Sequence, residues 1–253
     1  MTKVSIIGSG NVAQHLIQAF QLNSQIELIQ VFARNKETIT HLLDADKITS
    51  DYNHLLPADL YIVSVSDDAI AEVSSQLPFE NQLVVHTSGT VALDALNNNN
   101  RKGVFYPLQT FSKNKAVDFK TIPLCLEAEN ETDLKLLQKV ADCISESVYE
   151  INSQQRKALH VAAVFVNNFV NHLYQIGNEI CEKNQIPFDI LKPLIQETAN
   201  KIVTLSPKEA QTGPAKRNDF KTIKAHEQFL TDENQATIYK LLTQSIQNNG
   251  KKL

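Results

Sequence analysis

Apolar and polar positions alternate in two different ways along this chain. Up to residue 152, short apolar runs alternate with longer amphipathic segments, whereas the remainder shows amphipathic segments only. The apolar runs predict strands at residues 4–7, 26–33, 59–66, 82–86, 104–106 and 122–127, and the segments between them predict helices at 11–22, 36–45 and 69–77. Such alternation indicates an α/β domain with a doubly wound parallel sheet.

After residue 152 the pattern is helical throughout. Long helical segments are predicted at residues 154–182, 187–205 and 231–247. We therefore predict an α/β domain over 1–152 and an all-helical domain over 153–253. The segment 154–182 is apolar almost all round, which predicts a buried helix. The last six residues, Asn-Asn-Gly-Lys-Lys-Leu over 248–253, predict a frayed end.

A glycine-rich turn follows the first predicted strand directly. In the sequence Gly-Ser-Gly-Asn-Val-Ala over 8–13, Gly8 permits a tight turn, Gly10 lets a pyrophosphate approach the backbone, and Ala13 lets the next helix pack closely on the strand. The N-terminus of that helix offers free N–H groups to phosphates. The position between a strand and a helix favours a Rossmann dinucleotide site over a mere tight turn. The predicted contacts are Gly8, Ser9, Gly10, Asn11, Val12 and Ala13.

The end of the second predicted strand indicates which dinucleotide binds. An NAD site usually places an acidic residue here for the ribose hydroxyls, but this strand runs into Ala33, Arg34 and Asn35. A guanidinium can hold a 2′-phosphate through charged hydrogen bonds. The pattern therefore predicts NADP(H), held by Arg34 and Asn35; a solvated basic turn is the alternative.

Polar residues also end the next two strands. Ligands of open α/β sheets lie beyond the carboxyl ends of strands, so we expect cofactor contacts at these positions. The residues are Ser64, Val65, Ser66, His86 and Ser88. His86 could equally be a satisfied turn residue. Asp67 and Asp68 are expected to cap the following helix.

Candidate chemistry lies in the helical part. Lys157, His160 and Asn168 interrupt the apolar helix at spacings that allow a shared face. They are candidate catalytic residues, and a polar interhelical network is the alternative. Lys216 and Arg217 lie in a loop that by itself predicts a connector, and Asn218 with Asp219 can cap the next helix.

Charge and cysteine content narrow the class of protein. The net charge of −4 gives no basic face for nucleic acid and argues against an anionic membrane surface. Three widely spaced cysteines form no metal site and are expected to be reduced thiols, as in a cytoplasmic protein. No apolar run is long enough for a membrane span.

Together these motifs resemble the oxidoreductases that join a Rossmann-like domain to a helical domain of unknown function. The resemblance spans the chain and rests on the glycine turn, on His-Thr-Ser-Gly at 86–89, Tyr-Pro-Leu-Gln-Thr-Phe at 106–111, the helix at 160–169, Thr-Gly-Pro-Ala-Lys-Arg-Asn-Asp at 212–219, and His226. Where this chain has Asn218 the family usually has glycine, a mild departure because asparagine tolerates left-handed backbone angles. These relatives are similar to pyrroline-5-carboxylate reductase, 6-phosphogluconate dehydrogenase and ketopantoate reductase.

The resemblance implies hydride transfer from NADPH to a carbonyl or imine of a small anionic metabolite, with ketopantoate a candidate. Lys157 or His160 would donate the proton, Asn168 would hold the carbonyl oxygen, and Lys216 and Arg217 would clamp a carboxylate. The resemblance also implies a homodimer through the helical domain. Two alternatives stay open: a non-catalytic NADP-sensing protein, and an NADP reductase linked to a flavin or deazaflavin.

Overall fold

One eight-stranded sheet organises the N-terminal part of the chain in this computed structural model, which describes residues 1–113 and 115–248. The frayed end predicted at 248–253 lies, beyond Asn248, outside the described residues. The strands are β1 (Thr2–Ile7), β2 (Ile26–Phe32), β3 (Ile48–Thr49), β4 (Leu60–Val63), β5 (Leu83–His86), β6 (Arg101–Pro107), β7 (Leu124–Ala128) and β8 (Val148–Glu150).

The strand order is β3-β2-β1-β4-β5-β6-β7-β8, and every neighbouring pair is parallel except β6 with β7. This confirms the predicted α/β fold with a doubly wound, mostly parallel sheet. Ile7 pairs with Val63, which pairs with His86, so β1, β4 and β5 end in one row. The residues that follow these three strands therefore meet at the same edge of the sheet.

Helices follow the strands in the N-terminal part and make up most of the C-terminal part of the described chain. They are α1 (Asn11–Gln21), α2 (Ile70–Ser75), α3 (Glu131–Asp142), α4 (Ser153–Ala163), α5 (Val170–Lys183), α6 (Lys192–Thr204), α7 (Pro207–Ala210), α8 (Pro214–Arg217), α9 (Phe220–Phe229) and α10 (Glu233–Asn248), with a π-helical turn at Val164–Phe169. Short 3-10 turns occur at Lys36–Thr38, Ala45–Lys47, Tyr52–His54, Asp67–Ala69, Leu93–Ala95, Phe119–Thr121 and Phe188–Leu191. None of the described helices has the length and apolar character needed to cross a membrane.

The helix predicted at 36–45 is wrong. The chain forms only the 3-10 turn Lys36–Thr38 there, which begins where the Asn35 side chain accepts a hydrogen bond from the Glu37 N–H. Ile39 and Leu43 are both buried, so their spacing of four imitates the helical period. The β-branched residues at 38–40 lower the helix propensity of the segment.

The chain divides into two compact units, Met1–Val164 and a helical unit from Phe165 onward. Helix α4 belongs to the first unit because Arg156, on this helix, is buried there beside Glu127 of β7. This division falls later in the chain than the predicted domain boundary at 152/153. The predicted boundary follows the last strand of the sheet, and it stays a prediction.

The segment predicted as one helix, 154–182, is realised as α4, the π turn and α5, but its predicted burial is wrong. The side chains of Phe165, Val166 and Phe169 are 63%, 74% and 51% exposed. More than half of each is therefore left uncovered by the described part of the chain, although the rings of Phe165 and Phe169 meet edge to face.

The cap predicted for the next helix is confirmed for Asp219, whose side chain accepts a hydrogen bond from the Thr222 N–H at the start of α9. Asn218 does not cap α9 but ends α8, with the left-handed backbone (φ 54°) that asparagine tolerates. All three cysteines are free thiols.

Candidate active site

A cavity of about 820 Å³ opens at the edge of the sheet where β1, β4 and β5 end. All the residues that line it belong to the first unit. Twelve of the residues predicted to form the site line this cavity: Gly8, Ser9, Gly10, Asn11, Val12, Arg34, Asn35, Ser64, Val65, Ser66, Ser88 and His160. The carboxyl edge of a parallel sheet is where ligands of this fold class bind.

The two glycines of the turn have different roles. Gly8 has φ +130° and donates a backbone hydrogen bond to Phe32 O at 2.9 Å; a Cβ on it would lie 2.8 Å from the Ser64 carbonyl carbon and closer still to its oxygen. A Cβ on Gly10, in contrast, would meet no atom within 4 Å. Gly8 is thus required by the fold, whereas Gly10 leaves free space above the turn.

Helix α1 begins at this turn without a side-chain cap. Gly10 is its N-cap, and the first turn contains no acidic residue. The first N–H groups of α1 therefore remain available to an anion, and the helix dipole adds to their attraction. Ala13 is fully buried beneath the turn and does not line the cavity, which fits the packing role predicted for it.

A basic and aromatic cluster lies at the end of β2. Arg34 is exposed and lines the cavity together with Tyr52, whose ring stacks on Phe32 with centroids 4.0 Å apart and planes 8° apart. Burial raises the pKa of Tyr52, and the nearby Arg34 partly opposes this. Sequence reasoning missed Tyr52, because its position depends on how the chain crosses from β3 to β4.

Hydroxyl groups line the ends of β4 and β5. The Thr87 hydroxyl donates to Ser64 Oγ at 3.3 Å, and Ser88 Oγ accepts from the N–H of Thr90 at 3.1 Å. Asp67 was expected to cap the next helix, but its carboxylate instead accepts from the Thr90 hydroxyl at 2.5 Å. Neither Asp67 nor Asp68 is an N-cap here, since both lie within the 3-10 turn Asp67–Ala69.

His86 does not line the cavity, contrary to prediction. It is completely buried, and its Nδ1 accepts a hydrogen bond from the Ser88 N–H at 3.2 Å. Burial, with a smaller contribution from the Arg156 charge, lowers the pKa of His86 to about 4. His86 is therefore a neutral histidine whose Nδ1 holds the turn after β5. Because its side chain is completely enclosed by its neighbours, a ligand in the cavity cannot reach it.

His160 lines the same cavity and lies beside Gly89. Its Nδ1 is 3.2 Å from the hydroxyl of Tyr106, a buried residue of β6. Burial raises the pKa of Tyr106 to about 12, so its hydroxyl keeps its proton. Sequence reasoning placed Tyr106 in a family motif but gave it no chemical role.

An ion pair with a buried arginine holds the helix that carries His160. Arg156, one turn earlier on α4, is 1% exposed, forms an ion pair with Glu127, and donates to Val91 O at 2.6 Å. Glu127 also accepts from the N–H of Ser153 at 2.8 Å. Sequence reasoning missed both charged residues, because arginine and glutamate are usually exposed.

Besides Ala13 and His86, four predicted residues do not line this cavity. Lys157 is exposed on α4, although it is only three residues from His160. Asn168 lies in the π turn, and Lys216 and Arg217 lie in α8; all three are exposed and belong to the second unit. Among the described residues no group of His, Cys, Asp or Glu side chains is arranged to hold a metal ion.

Comparison with known proteins places both parts of the chain. Residues 3–89 match the domain family described as NADP oxidoreductase, coenzyme F420-dependent, and residues 122–246 match the domain of unknown function DUF2520. No curated protein matches the chain.

Solved structures match over nearly the whole length. A protein from Bacteroides fragilis, described as a candidate NADP oxidoreductase, is 40% identical over 98% of both chains, with a TM-score of 0.87. Protein TM1727 from Thermotoga maritima is 20% identical over 98% of this chain and 100% of its own (TM-score 0.76). The NADP-bound pyrroline carboxylate reductase of Plasmodium falciparum is 12% identical over 97% of this chain and 98% of its own (TM-score 0.62).

The last two structures share the fold with this chain, whereas the first is a full-length relative. The cavity at the carboxyl edge and the glycine turn agree with that relationship, since both are features of dinucleotide-binding sheets. The chain belongs to the family of NAD(P)-binding oxidoreductases in which a Rossmann domain of the NADP oxidoreductase type is followed by a helical DUF2520 domain.

Proposed function

We propose that this protein transfers a hydride from NADPH to the carbonyl or imine carbon of a small anionic metabolite, with a keto acid of the ketopantoate type as a candidate. One observation carries the proposal: a single cavity joins an anion-binding glycine turn, an exposed arginine and a histidine. The first two features suit a phosphorylated dinucleotide, and the third can supply the proton that accompanies hydride transfer.

The residues present fit NADP(H). Free space above Gly10 and the uncapped N-terminus of α1 suit the pyrophosphate. Arg34 is exposed at the end of β2, where it can pair with the 2′-phosphate, and Tyr52 offers an aromatic face beside it. When bound, the nicotinamide supplies the hydride. The hydroxyls of Ser64 and Ser66, and Val65 between them, would border the cofactor.

His160 is the proton donor we favour over Lys157. It lines the cavity, whereas Lys157 is exposed and does not. With Nδ1 engaged by Tyr106, the Nε2 of His160 has no protein partner among the described residues and is free to bond the oxygen or nitrogen being reduced. Asn168 as a ligand of the carbonyl oxygen, and Lys216 with Arg217 as a carboxylate clamp, remain proposals that the sequence motifs support.

The test is a screen for NADPH oxidation against a panel of keto acids and cyclic imines. We expect His160→Gln to lower turnover about 100- to 10,000-fold, the usual contribution of general acid catalysis, with NADPH affinity unchanged. Lys157→Ala is the matched control, three residues away on the same helix, and should retain turnover. Tight NADPH binding without oxidation by any compound would favour a non-catalytic NADP-sensing protein instead.

We also propose that the helical unit pairs with a second copy of the chain. Leu194 and Val203 on α6 are 62% and 82% exposed, and Phe169 in the π turn is 51% exposed. Exposed apolar side chains in such number are typical of an interface, since single chains rarely leave large apolar patches in water. Sedimentation analysis should find a dimer that dissociates in the variant Leu194→Asp, and a monomeric wild type would contradict the proposal.

A further inference from the structure

We propose that Tyr106 is a positioning residue for the reduction: its hydroxyl determines which nitrogen of His160 carries the transferable proton, and Gly89 keeps the two side chains in contact. This inference rests on the proposed role of His160 as proton donor. It adds a residue from a different element, since Tyr106 lies on β6 and His160 on α4.

The buried hydroxyl of Tyr106 requires a hydrogen-bond acceptor. Tyr106 is only 9% exposed, and its hydroxyl has one hydrogen-bond partner among the described residues, His160 Nδ1 at 3.2 Å. A buried O–H group without an acceptor is costly, and a neutral imidazole nitrogen is an acceptor. In the neutral state, therefore, Tyr106 donates to Nδ1, and the histidine proton is on Nε2.

The same contact also suits the protonated form of His160. A phenol oxygen accepts as well as donates, so the imidazolium can donate Nδ1–H to Tyr106 without moving. Its Nε2–H then remains for the substrate. The high pKa of Tyr106, about 12 because of burial, means that the phenol stays protonated throughout. The same pair of side chains thus serves both charge states of His160 in one geometry.

With NADP(H) held at the glycine turn and by Arg34, the bound nicotinamide would supply the hydride for the new C–H bond and be oxidised to NADP+. The electron pair of the C=O or C=N bond would then move to the oxygen or nitrogen. That atom takes the proton from Nε2 of the imidazolium, and the N–H electron pair stays on Nε2. The ring left after transfer is neutral with its proton on Nδ1, and Nδ1–H donates to the Tyr106 oxygen. This tautomer differs from the resting neutral form and lasts only until Nε2 takes up a proton from solvent, after the product leaves.

Gly89 determines how closely the pair can approach. A Cβ at this position would lie 2.6 Å from His160 Nδ1 and 2.9 Å from the Tyr106 oxygen, both too close for any side chain. Gly89 also lines the cavity. Because only glycine leaves room here, Gly89→Ala would separate the two rings while both functional groups stay present.

The first experiment reads the His160 ring directly, by nitrogen NMR of the full-length protein with labelled histidine. We expect Tyr106→Phe to shift both His160 ring-nitrogen signals, because Nδ1 loses its partner. The chain supplies a matched control: His226 Nδ1 is 2.9 Å from the Tyr239 hydroxyl in the second unit. Tyr239→Phe should shift the His226 signals and leave those of His160 unchanged.

The second experiment separates positioning from structural support. Tyr106→Phe and Gly89→Ala should each lower turnover by about 10- to 100-fold, as expected for a displaced reacting group, with NADPH affinity unchanged. Unchanged His160 signals in Tyr106→Phe would overturn the inference, as would altered signals with normal turnover. If the wild type reduces no compound, the proposed function fails, and the nitrogen spectra still decide whether Tyr106 holds the His160 proton.

Discussion

Replacing Gly8 and Gly10 by alanine adds the same methyl group to two positions of one turn, and the structure predicts opposite results. At Gly8 the added Cβ would lie 2.8 Å from the Ser64 carbonyl carbon, and the backbone has φ +130°. At Gly10 the Cβ would meet no atom within 4 Å, and the backbone is ordinary, with φ −73° and ψ −177°.

Two costs combine for Gly8→Ala. A side chain at this φ costs about 1–3 kcal/mol, and relieving the overlap with β4 costs a further 1–3 kcal/mol or so. Ser64 cannot retreat freely, because its N–H donates to Ile7 O at 2.8 Å. The total of about 2–6 kcal/mol is a large share of the 5–15 kcal/mol typical of a domain. For Gly10→Ala only the poorer N-cap counts, at about 1 kcal/mol or less.

Urea unfolding and NADPH calorimetry together measure the two effects. We expect Gly8→Ala to unfold at much lower urea, whereas Gly10→Ala unfolds close to the wild type. Gly10→Val should also remain folded but lose NADPH binding, because its side chain fills the space proposed for the pyrophosphate. Equal unfolding midpoints for the two alanine variants would refute the steric reasoning, and normal NADPH binding by Gly10→Val would refute the proposed cofactor site.

Three further predictions concern single charged or titratable groups. Arg34→Ala should weaken NADPH binding by about 1.5–3 kcal/mol and leave NADH binding unchanged; equal affinity of the wild type for both nucleotides, by calorimetry, would contradict it. Arg156→Met leaves the partly buried Glu127 carboxylate without its counter-ion and should cost up to about 3–5 kcal/mol in urea unfolding, whereas the exposed control Lys135→Ala should cost less than about 1 kcal/mol. Because the pKa of His86 is about 4 when folded and 6.5 when free, the unfolded chain binds more protons between these values; stability should fall by roughly 3 kcal/mol from pH 6.5 to pH 4, and less in His86→Gln.

The parallel sheet and the glycine turn could be predicted from the sequence because local patterns specify them. Buried strands appear as apolar runs, and the glycine turn needs particular residues at fixed spacing. The prediction of a helix at 36–45 was wrong because two buried residues, four positions apart, match the helical period although the chain forms turns there. Periodicity reports burial, and it reports helix only where propensity agrees.

The surroundings of His160 in the cavity could not be predicted in the same way. The partner of His160 lies 54 residues away on another element, and no local pattern reports such a contact. His86 and His160 both follow plausible motifs, yet one is enclosed and the other lines the cavity. Only the packing around each side chain separates a structural histidine from a candidate donor.

The ion pair of Glu127 and Arg156 has a consequence for how this sequence can vary. The two residues are 29 positions apart, on β7 and α4, and the carboxylate neutralises a guanidinium that is almost completely buried. A change at either position alone leaves the other charged side chain without its counter-ion, so relatives should replace both residues together or neither. Mutagenesis that randomises one of these codons will return almost only the parental residue, whereas joint randomisation will recover apolar pairs of similar volume.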